Sequence, residues 1–233
     1  MRQRCASPGK TRPTPASGNS RTSPWEQQQP AVGEIVYARP FAAFNNHYQV
    51  WADGQQKWYA ECAVEACAIS AQFPGTEVIV RSVCRQTKEP VEQVGRDGAL
   101  LDYAPRTLRV HLGYPLRAAP ASMVGWCDYN SFFASEDAAR QWQKAHPDVH
   151  GITRSPVEMG RMIAELIGNG RLEYSYQVQV PLLTVLLHLG RYGFTKKTRA
   201  GLPVLDPFWL PTPGMVREWK QQGYKSFFRF SLR

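Results

Sequence analysis

The sequence has no apolar run long enough to cross a membrane. Its longest, Val180 to Leu189, is roughly half of the ~20 residues a span requires, and reads instead as a buried helix. The first 33 residues contain no apolar core of a secretory leader. There are only five cysteines, an odd number in a chain too large to need disulfide staples, so reduced thiols in a cytoplasmic protein are expected. No C-x-x-C pair and no His/Cys spacing of the zinc-site type occurs. Zinc-finger, homeodomain and RNA-binding aromatic signatures are absent too, as is any internal repeat. These absences point away from membrane, zinc and sequence-specific nucleic-acid roles.

What is present begins with charge. The formal net charge is +9, which alone invites a nucleic-acid reading. Its distribution argues against one. Residues 1–33 carry five basic residues and one acid, and residues 190–233 carry nine and two. The centre, 34–189, has 14 basic and 16 acidic residues, a net of −2. A near-neutral middle with basic ends is an ordinary domain with appendages. The apolar share of 43% and mean hydropathy of −0.41 suit a soluble chain of one core.

Residues 1–33 are rich in Pro, Ser, Gly, Thr and Gln, a composition that cannot offset its ordering entropy, so a disordered tail is expected. Cys5 lies there and is given no role. From Glu34 the pattern changes. Ile35–Arg39, His47–Ala52 and Lys57–Ala60 read as short strands, with Asp53-Gly54 as a hairpin turn. Ala60–Gln72 is Ala-rich without alternation and predicts one helix, ended by Phe73-Pro74-Gly75. Thr76–Cys84, Val91–Val94 and Arg106–Leu112 predict further strands. Ser135 with Glu136 and Asp137 marks a helix start that continues through Trp142. Ser155-Pro156-Val157-Glu158 is a capping box, opening a helix whose apolar face is Val157, Met159, Met162, Ile163, Leu166 and Ile167. The fold class is therefore α+β: a mixed or antiparallel sheet with flanking helices over 34–172. Residues 173–233 form an extension packed on the core, with helices predicted at 180–189 and Met215–Gln222.

The chemistry-bearing stretch is Glu61-Cys62-Ala63-Val64-Glu65-Ala66-Cys67. Residues three apart share a helix face, so Cys62 and Glu65 can address one small substrate together. A cysteine in a helix's first turn feels the positive dipole end, which favours thiolate. Glu61 and Glu65 push the other way. By composition alone, a cysteine in an Ala-rich helix is more often a small buried hydrophobe. The five histidines are scattered and are assigned no role.

The order of these features resembles the organomercurial (alkylmercury) lyase family. The likeness runs from Trp58-Tyr59-Ala60-Glu61-Cys62-Ala63-Val64-Glu65 through Phe73-Pro74 and a strand ending in Cys84 to Cys127 before Phe132-Phe133-Ala134-Ser135. It covers roughly residues 35–170. Cys62, Cys84 and Cys127 fall on the family's cysteine positions, and Glu65 stands where the family has a catalytic aspartate. The resemblance implies cleavage of a carbon–mercury bond by protonolysis. Cys62 would attack mercury, Cys127 would supply the second thiolate, and Glu65 would protonate the leaving carbon. Cys62, Cys127 and Glu65 would then hold the product Hg²⁺ transiently, until cellular thiols or a mercuric reductase withdraw it. No organic cofactor is implied. Cys84 is expected to be structural, and Cys67, five residues from Cys62, to be core. The alternative is a non-catalytic thiol module for a soft ion such as Hg²⁺ or Cu⁺.

Overall fold

The computed structural model describes residues 37–38, 40–115 and 127–167, then 191, 195–197, 199–201, 203–205 and 217. The expected disordered tail and the helix at 180–189 lie outside these residues, as does the helix at Met215–Gln222 except for Arg217.

The larger sheet has seven strands: β1 (Tyr37–Ala38), β2 (Phe41–Ala42), β3 (Gln49–Ala52), β4 (Gln55–Ala60), β5 (Glu77–Val83), β6 (Pro90–Arg96) and β7 (Ala99–Ala104). Their order is β1-β2-β4-β3-β5-β6-β7. A second sheet places β8 (Arg109–Pro115) between β10 (Val149–Arg154) and β9 (Ser131–Phe133). Strands β11 (Thr195–Lys197) and β12 (Pro203–Leu205) form a separate pair. Of the two sheet types left open, every pairing among the described residues is antiparallel. The α+β class holds.

Turn chemistry explains the hairpins. Asp53 (φ 51°) and Gly54 (φ 74°) join β3 to β4, as anticipated. Asp97 (φ 52°) and Gly98 (φ 79°) do the same for β6 and β7, because a two-residue hairpin turn with positive φ at both positions favours Asp-Gly. Strand β7 was not expected: its residues are half-buried or exposed, so it carries little apolar alternation to read. Strands β9 and β10 were missed too, β9 by brevity and full burial, β10 for want of alternation. Ser131–Phe133 is three residues, all buried, and Val149–Arg154 is half-buried throughout after its first residue.

The helix predicted over Ala60–Gln72 is corrected. Ala60 ends β4, with its N–H donating to the Tyr48 carbonyl, and the Glu61 N–H donates to Pro40. Helix α1 is only Ala63–Ala66, followed by a 3₁₀ turn at Ile69–Gln72. Every residue from Glu61 to Ser70 is buried. A segment enclosed on all sides takes its path from its neighbours rather than from helix propensity. Helices α2 (Glu136–Ala145) and α3 (Pro156–Ile167) do begin at their predicted caps. The Ala138 N–H donates to Ser135 Oγ at 3.1 Å. At α3 the Glu158 N–H donates to Ser155 Oγ and the Ser155 N–H to Glu158 Oε2. Met159, Met162 and Ile163 face the core. Val157, expected there too, is exposed, since it lies in the first turn beside the capping carboxylate. The side chains of Leu166 and Ile167 lie outside the described residues.

Two close approaches pack these elements around α1. A Cβ on Gly160 of α3 would sit 2.8 Å from the Cys67 carbonyl oxygen, and one on Gly113 of β8 would sit 2.6 Å from the Tyr129 carbonyl oxygen. Only glycine fits at either position. Behind the second sheet, His111, Phe133 and Trp142 form an aromatic cluster with centroid separations of 5.5 to 6.1 Å.

Burial of His111, with His150 adding to it, lowers its pKa to about 4. The protonated ring is therefore disfavoured in the folded state. An unfolded chain takes up a proton near the ordinary histidine pKa of about 6.5, so stability is full above that pH and falls as pH drops towards 4. The loss should reach on the order of 2–3 kcal/mol from this residue. Urea midpoints measured at pH 7, 5.5 and 4.5 should decline in that order, and less steeply in His111→Gln.

Candidate active site

The site forms where the two sheets meet α1. Cys62 is the residue before α1, extended at φ −160° and ψ 177°, and it is almost wholly buried. The Ala66 N–H closes the first turn onto the Cys62 carbonyl at 2.9 Å, which puts Glu65 in the same turn as Cys62. Glu65 is buried as well. Cys62 therefore precedes the helix rather than sharing its face with Glu65, and the helix is too short to have an N-terminal dipole of consequence.

Cys127 arrives from the other sheet. It opens a turn that leads into β9, and its thiol donates to Glu61 Oε1 at 3.2 Å. Glu61 is the residue before Cys62, and only 4% exposed. A buried carboxylate in contact with a thiol is costly to desolvate and uncommon without a chemical use.

Asn130 ties the Cys62 thiol to the backbone of the Cys127 turn. Its Nδ2 donates to Cys62 Sγ at 3.5 Å, and its N–H donates to the Cys127 carbonyl at 3.1 Å. Its Oδ1 accepts from the Gly113 N–H at 3.0 Å, fixing it to β8. Its carbonyl accepts from the Ala63 N–H and from the Tyr48 hydroxyl, the latter at 2.9 Å. Both ends of this asparagine are thus committed, and five residues, Cys62, Ala63, Gly113, Tyr48 and Cys127, hold it. Tyr48 completes the wall: burial first, then the nearby Cys62, holds its phenol well above the usual value.

The other two described cysteines sit apart from this arrangement. Cys67 donates to the Ala63 carbonyl at 3.2 Å, and burial, with Cys62 next in effect, pushes its thiol far up. Such a thiol is inert. Cys84 follows β5 and anchors a turn, accepting from the Thr87 N–H at 3.4 Å while the Lys88 N–H donates to its carbonyl. Burial acts to raise its pKa, but hydrogen bonds from Thr87, Ala134 and Gln86 outweigh it and the thiol is lowered.

Sequence reasoning assigned no role to Asn130 or Tyr48 and treated Glu61 only as an unfavourable charge. One local signal was available. Asn130 follows Cys127 by three residues, as Glu65 follows Cys62. Among the described residues, no group of three or more His, Cys, Asp and Glu side chains is placed to hold a metal ion. No described helix is long and apolar enough to cross a membrane.

Two buried thiols joined through Asn130, one of them bonded to the Glu61 carboxylate, form a thiol–carboxylate arrangement on an α+β scaffold. The alkylmercury lyase (MerB) family model matches residues 41–168, more than half of the chain, and the protein belongs to that family. An alkylmercury lyase of Streptomyces lividans is 32% identical over 130 residues, 54% of this chain and 56% of that protein. The chain thus spans about half the length of the curated relative it matches. A crystal structure of the mercury-bound form of MerB2 aligns with 55% of this chain and 60% of that one, at 24% identity and a TM-score of 0.46.

Proposed function

We propose that this protein cleaves the carbon–mercury bond of organomercurials by protonolysis, releasing a hydrocarbon and Hg²⁺. The observation that carries the reading is the convergence of Cys62 and Cys127 on Asn130, with Glu61 bonded to Cys127 and Glu65 in the turn that Cys62 opens, in a chain of the alkylmercury lyase family. Mercury is a soft ion and thiolates are its natural ligands. Cys62 attacks the mercury of R–Hg–SR′ and displaces R′S⁻; Cys127 adds the second sulfur. Two sulfurs donating into mercury weaken the bond to carbon and build carbanion character there. Glu65 gives that carbon a proton as it leaves, and Hg²⁺ remains on Cys62 and Cys127, with Glu65 at hand, until cellular thiols or a mercuric reductase remove it. The reaction needs no organic cofactor. A cytoplasmic setting suits it, because reduced thiols are required throughout. The catalytic unit is residues 34–172, with 1–33 and 173–233 as appendages.

The test is incubation of the purified protein with phenylmercury and excess thiol, following benzene. Catalytic benzene release is expected. Mercury retained on the protein with no benzene formed would overturn the lyase reading and point to a soft-metal binding module.

A further inference from the structure

The thiol of Cys127 is not simply near a negative charge; it donates directly to Glu61 Oε1, in a contact nearly closed to solvent. Position 61 lies outside the Cys62–Glu65 turn that supplies the acid, and its backbone is tied to Pro40 rather than to α1. The site therefore holds two carboxylates in two settings. Glu65 shares a turn with Cys62, and Glu61 is bonded to Cys127.

We propose that Glu61 is a second catalytic carboxylate, the base that removes the proton of Cys127 as its sulfur closes on mercury. This rests on the lyase reading and divides its proton traffic into two thiol–carboxylate pairs. As Cys62 Sγ bonds to mercury, its proton passes to Glu65 and from there to the carbon, so the carbon–mercury bond breaks and R–H leaves. As Cys127 Sγ bonds to mercury, its proton passes to Glu61 and from there to the displaced thiolate, giving R′SH. The sum is R–Hg–SR′ plus two protein thiols going to R–H, R′SH and a mercury held by two sulfurs. Both carboxylates end as they began, and no oxidant or reductant is consumed. A neutral thiol is a poor mercury ligand, so an acceptor already bonded to it shortens the second step.

Glu61→Gln tests this, because the amide oxygen can still accept the thiol hydrogen bond but cannot take the proton. Capture of one phenylmercury per protein, which needs Cys62, should persist. Single-turnover benzene release should fall by about 10²-fold, the low end for a general base, and Glu61→Asp should recover part of it. A merely positioning Glu61 predicts no change in release for the Gln variant. Release at the unaltered rate in Glu61→Gln would overturn this inference and leave the lyase reading standing. No benzene from the unaltered protein would defeat both. Should the Gln variant not fold, Glu61→Asp decides alone: an unchanged release rate with the shorter side chain would overturn the assignment.

Discussion

Cys62→Ser is expected to end benzene release from phenylmercury, a loss on the order of 10³-fold or more, as for residues that act as one nucleophilic unit. The substitution is nearly isosteric, so it tests chemistry rather than packing. Cys62 is 1% exposed, and a serine hydroxyl can still accept from Asn130 Nδ2 in its place. What it cannot do is bind a soft ion, because oxygen is a hard donor and mercury selects sulfur. Capture of phenylmercury should fall together with turnover, since no second sulfur acts before the first. Cys67 should not substitute: its thiol is pushed far up by burial and donates to the Ala63 carbonyl. A Cys62→Ser protein that still released benzene near the unaltered rate would remove Cys62 from the site.

Glu65→Gln is expected to leave capture intact and lower turnover by on the order of 10³-fold, within the range for positioned proton donors. The amide preserves the size of a buried side chain whose turn is closed by Ala66 onto Cys62. It removes the transferable proton. The split between retained capture and lost release distinguishes this variant from Cys62→Ser. Glu65→Asp adds a sharper comparison, since the family resemblance places aspartate here. If the extra methylene of Glu65 has been accommodated by the surrounding wall, the shorter acid misses the carbon, because proton delivery depends on placement within about half an ångström. Release by Glu65→Asp should then fall by roughly tenfold. Unchanged turnover in Glu65→Gln would exclude Glu65 as the proton donor.

The two acids carry different expectations. Loss of Glu65 removes the proton donor assigned to the carbon. Loss of Glu61 slows formation of the second sulfur–mercury bond but leaves the first, at Cys62, untouched. That is why the larger effect is assigned to Glu65.

Local signals carried much of the fold in the sequence. The caps at Ser135 and Ser155 depend only on residues three positions away, and both form as expected. Asp53-Gly54 specifies its hairpin for the same reason. Where burial replaces periodicity, the sequence is silent. Ala60–Gln72 has helical composition, yet its strand end, one-turn helix and 3₁₀ turn follow from contacts with Tyr48, Pro40 and Asn130. Val157 shows the limit from the other side: it fits the helical face by spacing but sits in an exposed first turn.

The same division runs through the site. The spacing of Cys62 and Glu65 is a property of one turn, and residue order alone relates it to a family and its chemistry. The pairing of Cys127 with Glu61, and the bond from Asn130 to the Cys62 thiol, arise only when β9 folds beside β8 and the Cys127 turn meets the start of α1. Those contacts span 66 and 68 residues of sequence, and a one-dimensional pattern has no term for them. Chain order determined which residue types were available; the meeting of two sheets decided that the Cys127 thiol bonds to Glu61 and that Asn130 reaches Cys62.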